Sequence, residues 1–193
     1  MTDRLDRQLA FLVEADRLKR IERASWITGR HRRENSAEHS WHLTLFALTL
    51  ADHAPDGVQL DRVIRMLILH DIVEIDAGDA PIHGSVDAEA MAAKEEAAAN
   101  RLFGLLPEDQ AAEFRALWDE FEAGQTPDAV FAKSLDRFQP PVLNLHSEGG
   151  SWPDYDVTED QIRSRVGTKI ARGAPGLWDW LSPKLTAWFT SNS

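Results

Sequence analysis

Two pairs of adjacent acidic and histidine residues, Glu38-His39 and His70-Asp71, each lie in an apolar stretch of the sequence. The apolar residues around both pairs predict buried helices. Burying carboxylates or imidazoles without a partner is costly. A divalent cation would remove that cost, because imidazole nitrogen and carboxylate oxygen are both metal ligands. The two pairs therefore predict a metal site inside the fold.

Asp136 is the predicted fourth ligand beside His39, His70 and Asp71. It follows Ala132 to Leu135 in a helix that is otherwise expected to be buried, where a lone carboxylate would be destabilising. His70 and Asp71 are adjacent on a helix and so about 100° apart, which lets both reach one ion only at the helix flank or end. Glu74, one turn later, lies over the same face.

The composition limits which metals suit this site. The chain has 193 residues, 43% of them hydrophobic and 27% charged, which predicts one globular domain spanning residues 1–193. It contains no cysteine, so a metal site must use histidine and carboxylate. Such ligands favour manganese, iron, cobalt or magnesium over a structural zinc site.

Charge and hydropathy exclude several classes of partner. The net charge of −11 argues against a broad surface for DNA or RNA, although a local basic pocket can still bind a small phosphorylated ligand. The sequence shows no apolar run of the roughly 20 residues that a membrane span needs, and its start lacks a signal-peptide core. We therefore expect a cytoplasmic protein with a small-molecule substrate, without nucleic-acid or membrane partners.

The elements that must position these residues are helical nearly throughout, which predicts an all-α fold. An amphipathic opening helix or helix pair is expected to end before Thr28, and a basic loop to run from Gly29 to Glu34. Asn35 then predicts a helix cap, with Glu38 at the capping-box position. The helix that follows is expected to continue to about His53 and to be apolar on most sides.

Later elements follow the same helical pattern. The segment from Glu148 to Pro153 is the clearest loop, and the core is expected at 30–145 with C-terminal helices at 155–190 packed on it. The expected helices are a buried one at 61–75, an exposed one at 86–106, one from Pro107 closed by Gly124, one from Pro127 to Phe138 halted by Pro140-Pro141, and two at 159–172 and 175–189.

His39, the consecutive His70-Asp71 pair and the distant Asp136 resemble the signature of the HD-domain metal-dependent phosphohydrolases. The strings RRENSAEHS at 32–40 and HDIVEIDAGDAP at 70–81 resemble the 5′-deoxynucleotidase branch of that family more closely. The segment 144–152 is similar to the Gly-Gly-x-Trp loop of the HD-domain-containing protein 2 group. The resemblance covers most of the chain.

This resemblance implies an HD-domain helical bundle with a single divalent cation, frequently a homodimer, which dephosphorylates deoxyribonucleoside or ribonucleoside 5′-monophosphates. Glu74 and Asp79 match carboxylates that the branch uses beside the metal, where they could orient water and protonate the leaving oxygen. Arg23 matches a substrate-contacting arginine. A phosphate dianion among so many carboxylates needs cations, so Arg32 and Arg33 are also candidate substrate ligands.

The sequence departs from some relatives immediately after Arg23. They have a tryptophan there, whereas this chain has Ala24, with Trp26 two positions later. The departure leaves base stacking and sugar preference open. Two alternatives also remain open: an HD hydrolase acting on a nucleoside triphosphate, cyclic nucleotide or alarmone, and a non-catalytic nucleotide or metal sensor.

Overall fold

A computed structural model describes residues 2–82, 84 and 87–192, most of them in α-helices. This agrees with the predicted all-α class. Along the chain the helices are α1 (Thr2–Ala15), α2 (Ser36–Thr49), α3 (Leu60–Leu69), α4 (Glu74–Ala77), α5 (Ala88–Phe103), α6 (Glu108–Ala123), α7 (Pro127–Leu145), α8 (Glu159–Ile162), α9 (Thr168–Gly173) and α10 (Pro175–Ser191).

A short antiparallel hairpin interrupts the helical pattern between α1 and α2. Strand β1 (Glu22–Trp26) pairs with β2 (Arg33–Asn35), after a 3₁₀ turn at Asp16–Arg20. The prediction of helix up to Thr28 and a loop from Gly29 to Glu34 is therefore wrong in this region. Only three residues of β2 pair with β1, too few for a sequence pattern to indicate a strand.

Helix α2 begins as predicted. The Asn35 side chain accepts a hydrogen bond from the Glu38 backbone N–H, and the Glu38 carboxylate accepts one from the Asn35 N–H. This capping box fixes the start of the helix and places His39 in its first turn. The helix is apolar on most sides, as predicted, but not all of these sides are buried, because Trp41 and Leu48 are 60% and 56% exposed.

Helix α3 ends earlier than predicted. It stops at Leu69, and the chain then turns through 70–73 before the single-turn helix α4. The expected continuous helix to Ile75 is therefore wrong. The break places His70 and Asp71 at a helix end, where both adjacent side chains can approach one point.

Helix α7 is longer than predicted, because it continues through Pro140 and Pro141 to Leu145. Each proline lacks the N–H that would bond to the carbonyl four residues earlier, so the helix continues without those two bonds. Asp136 lies midway along this helix and is buried. Packing of α7 in the centre of the core explains why the prolines do not end it.

Helices α2, α3, α6, α9 and α10 contact α7. Helix α6 ends at Gly124, as predicted, in the left-handed conformation that glycine favours. The predicted start of α5 at Val86 lies outside the described residues; the described helix begins at Ala88 with Asp87 as its cap. A π-helical turn at Arg163–Gly167 joins α8 to α9, and α9 and α10 both contact α7. Among the described residues, no helix has the length and hydropathy of a membrane span.

Candidate metal centre and cavity

Three buried side chains from three separate helices or helix ends meet in the core. His39 lies at the start of α2, His70 follows α3, and Asp136 belongs to α7. One potential ligand atom of each lies within 4.8 Å of the others. His39 is fully buried, and His70 and Asp136 are 5% and 7% exposed. This is the convergence that the metal prediction requires, although the ligand roles stay predictions.

The orientation of the two imidazoles fits a metal ion. His70 Nδ1 lies 2.9 Å from the Leu67 carbonyl oxygen, so in the neutral imidazole that a metal requires this nitrogen is the donor and Nε2 carries the lone pair. Among the described residues, His70 Nε2 has no hydrogen-bond partner of suitable geometry. His39 Nε2 lies 3.1 Å from Asp136 Oδ1. The imidazoles and the Asp136 carboxylate therefore form a donor set suited to a divalent cation.

Asp71 lies between His70 and a buried arginine, Arg23. Its Oδ1 is 2.9 Å from His70 Nε2, and its Oδ2 accepts a hydrogen bond of 2.9 Å from Arg23 Nη1. Burial opposes ionisation, but the charges of His70 and Arg23 lower the pKa of Asp71 to about 2. Burial would lower the pKa of His70, whereas Asp71 raises it to about 9. The carboxylate therefore stays ionised beside its cationic neighbours.

Glu74 and Asp79 approach the same arginine. Arg23 Nη1 lies 3.8 Å from Glu74 Oε1 and 3.5 Å from Asp79 Oδ1. Ser36 Oγ donates a hydrogen bond to Glu74, and the Ala24 N–H donates one to Asp79. Both carboxylates line the cavity that His70 also lines.

Burial and mutual repulsion change how these two carboxyl groups titrate. Burial and the negative charge of Asp71 raise the pKa of Glu74 to about 8, against the opposing effect of Arg23. Burial likewise raises the pKa of Asp79. Asp71, Glu74, Asp79 and Asp136 thus place four carboxyl groups near Arg23 and two histidines. Four carboxyl groups crowded into one buried site are a second reason why it suits a cation.

The structure places Arg32 and Arg33 outside the cavity. Arg32 donates two hydrogen bonds to Glu38 and is exposed. Arg33 stacks over the Trp26 ring and pairs with Asp154 at 3.1 Å. The two arginines predicted to bind substrate are thus engaged elsewhere, whereas Arg23 lies in the cavity.

Sequence reasoning missed Glu34, which was assigned to the basic loop from Gly29 to Glu34. The side chain is only 3% exposed, and its Oε2 lies 3.5 Å from His39 Nδ1, on the ring edge opposite Asp136. Gln139 Nε2 donates a hydrogen bond of 2.8 Å to its other oxygen. Burial opposes the charge, but His39 and Arg23 lower the pKa of Glu34 below its usual value.

Two cations in the cavity were also missed. Lys133 and Arg137 lie on α7, on either side of Asp136, and both line the cavity. Lys133 Nζ is 3.3 Å from Glu122, and Arg137 Nε is 3.6 Å from Asp136 Oδ2. Lys133 precedes Asp136 by three residues and so shares its face of the helix, which is the sequence signal that could have found it.

A comparison with family models gives a match to the HD domain over residues 15–178. The chain belongs to the HD domain family. This match covers most of the chain, including all of the predicted metal ligands and both predicted catalytic carboxylates.

Similar HD-domain proteins include named nucleotidases. The human 5′-deoxynucleotidase HDDC2 is 32% identical over 130 residues, which are 67% of this chain and 62% of the human protein. The fission-yeast (Schizosaccharomyces pombe) 5′-deoxynucleotidase hdd1 is 29% identical over 134 residues, 67% of this chain and 66% of that protein. The match to the human relative therefore spans less than two thirds of that protein.

A solved HD structure matches nearly the whole chain. It is described as a predicted metal-dependent phosphohydrolase from Magnetospirillum magnetotacticum MS-1. The two share 45% sequence identity and a TM-score of 0.92, with coverage of 98% of this chain and 97% of that one. An HD-domain phosphohydrolase from Listeria innocua, at 16% identity and a TM-score of 0.63 over 95% and 98% of the two chains, shares the fold.

Proposed function

We propose that this protein is a metal-dependent phosphomonoesterase that hydrolyses nucleoside 5′-monophosphates, with deoxyribonucleotides preferred. The observation that carries the proposal is the buried group of His39, His70 and Asp136, with Arg23 and further carboxylates in the same cavity. The names of the human and fission-yeast relatives, both 5′-deoxynucleotidases, support the same reaction.

His39, His70, Asp71 and Asp136 are the proposed ligands of one divalent cation. A cation held there supplies a Lewis acid for a phosphoryl oxygen and makes a water molecule more acidic. Manganese, cobalt, iron and magnesium all accept nitrogen and oxygen ligands, so the choice among them is a matter for measurement.

Glu74 and Asp79 are the proposed proton-transfer groups. In the reaction a water oxygen bonds to phosphorus, the bond from phosphorus to the 5′ oxygen breaks, and the nucleoside leaves with a proton on that oxygen. One carboxyl group accepts the proton of the attacking water and the other donates to the leaving oxygen. The raised pKa values of both groups suit this role, because proton transfer is most efficient near the working pH.

Arg23, Lys133 and Arg137 are the proposed phosphate ligands. All three line the cavity, and a phosphate dianion needs such partners among the surrounding carboxylates. Arg23 bonds to Asp71 in this structure. Its guanidinium has further N–H donors, and Nε has no hydrogen-bond partner among the described residues, so a donor remains for a phosphate oxygen.

The test is phosphate release by metal-stripped protein refilled in turn with manganese, cobalt and magnesium. The substrates are the 5′-deoxyribo- and 5′-ribonucleoside monophosphates, with the di- and triphosphates beside them. We expect metal-dependent release from monophosphates, faster with deoxyribose. Release from triphosphates alone would favour another HD hydrolase, and no release by any loaded form would overturn the proposal.

Two variants sharpen this test. Glu74→Gln should abolish phosphate release while metal binding survives, which separates an enzyme from a sensor. Glu89→Gln makes the same change at an exposed position of α5 and should have no effect. The homodimer and the cytoplasmic location stay predictions.

A further inference from the structure

The proposed function leaves open what holds the base of a nucleotide in this cavity. Three aromatic residues line it: Phe121, Trp152 and Tyr155. Phe121 and Trp152 are 3% and 2% exposed, so their rings are already covered by the core. Tyr155 is 38% exposed. Among the described residues that line the cavity, Tyr155 is thus the aromatic side chain with free surface for a ligand.

Tyr155 belongs to a 3₁₀ turn, Pro153–Tyr155, that the β-hairpin holds in place. Asp154 accepts a hydrogen bond of 2.7 Å from Trp26 Nε1 and pairs with Arg30 at 3.3 Å and Arg33 at 3.1 Å. Both arginines also lie over the Trp26 ring. The Asp154 carboxylate therefore joins the turn to three side chains of the hairpin. One of them, Arg33, was predicted to bind substrate.

The chain on the other side of this turn is also fixed. Trp152 packs against Trp188 and Phe189, with ring centroids 4.9 Å and 5.2 Å away. The Tyr155 N–H donates to the Trp152 carbonyl. A ring positioned before a ligand arrives loses little conformational freedom on binding.

We infer that Tyr155 is the base-binding residue of this site: its ring stacks on the nucleobase, and Asp154 is the positioning residue that holds it there. This inference rests on the proposed function. Ala24, which also lines the cavity, offers no ring. Every base has a π face, so stacking predicts tolerance of base identity.

The test compares nucleotides with a substrate that has no base. We would measure KM and kcat for the deoxyribonucleoside 5′-monophosphates and for 2-deoxyribose 5-phosphate. Tyr155→Ala should raise KM for the nucleotides by roughly 5- to 150-fold, the range that corresponds to lost base stacking. Its kcat, and its KM for deoxyribose 5-phosphate, should stay within about threefold of wild type. Tyr155→Phe keeps the ring and should behave like wild type.

Asp154→Ala should raise KM for nucleotides selectively as well, and less than Tyr155→Ala, because the ring remains but is less well held. Asp179→Ala removes an exposed carboxylate of α10 and serves as the matched control. Equal losses on nucleotides and on deoxyribose 5-phosphate, or unchanged nucleotide KM in Tyr155→Ala, would overturn the inference alone. Wild-type protein that hydrolyses no nucleoside monophosphate would overturn the proposed function, and the inference with it.

Discussion

Glu34 is expected to determine how tightly His39 holds a metal ion, and Glu34→Gln tests this. The two carboxylate oxygens face two different donors, Gln139 Nε2 at 2.8 Å and His39 Nδ1 at 3.5 Å. Glutamine has one acceptor oxygen and one NH₂ group, so it can satisfy only one of these donors. The other donor would face an amide hydrogen. The variant therefore keeps the shape of the side chain and loses one of its two contacts.

The size of the effect follows from which contact is lost. Changing a carboxylate that orients a metal-binding histidine lowers metal affinity by about 10- to 100-fold. The His39 contact, at 3.5 Å, is at the outer limit of a hydrogen bond, so it is the weaker of the two. We therefore expect the lower end, a tenfold rise in Kd, or about 1.4 kcal/mol.

The assay is competition between the protein and a chelator for cobalt or manganese, with cobalt absorption reporting ligand geometry. Glu22→Gln makes the same substitution at an exposed position of β1 and is the matched control. Unchanged metal affinity in Glu34→Gln, with the fold intact by circular dichroism, would refute the reasoning about His39.

Further predictions concern protonation and one glycine. In metal-free protein, the pKa of Glu74 is raised to about 8 and that of His70 to about 9 in the folded state. Both groups therefore bind protons more tightly in the folded than in the unfolded state, so Tm should fall as the pH rises from about 5 to 9. Glu74→Gln should remove its share of that fall; an identical pH dependence of Tm would contradict the assignment. Gly150→Ala should lower Tm by roughly 2–12 °C, because φ is +51° and the new Cβ would lie 2.0 Å from Asn144 Oδ1. Gly57→Ala, at φ +88° with no described atom within 4 Å, should cost less, and equal losses would contradict a role for the contact.

Local signals in the sequence predict the start of α2 well. The Asn35 cap and Glu38 are three residues apart, so their interaction depends on one turn of chain. The convergence of His39, His70 and Asp136 was also anticipated, because histidine and carboxylate in apolar helices have few stable alternatives to a shared cation. Such features need little knowledge of the rest of the fold.

Features that depend on distant contacts were not predictable. The hairpin residue Trp26 bonds to Asp154 across 128 positions, and Glu34 bonds to Gln139 across 105. Helix α7 continues through Pro140 because neighbouring helices pack on it, which no local rule for proline includes. Arg33 was predicted to bind substrate because its charge is visible in the sequence, whereas its distant partner Asp154 is not.

Reconstitution of the metal-free protein tests the central claim most directly. Cobalt would be titrated into it while phosphate release from a deoxyribonucleoside 5′-monophosphate is followed, with His39→Ala treated in parallel. The account predicts that activity rises in proportion to added metal, reaches a plateau at one equivalent, and stays absent in His39→Ala. Full activity in excess chelator, or in loaded His39→Ala, would contradict a phosphoesterase site built on His39, His70 and Asp136.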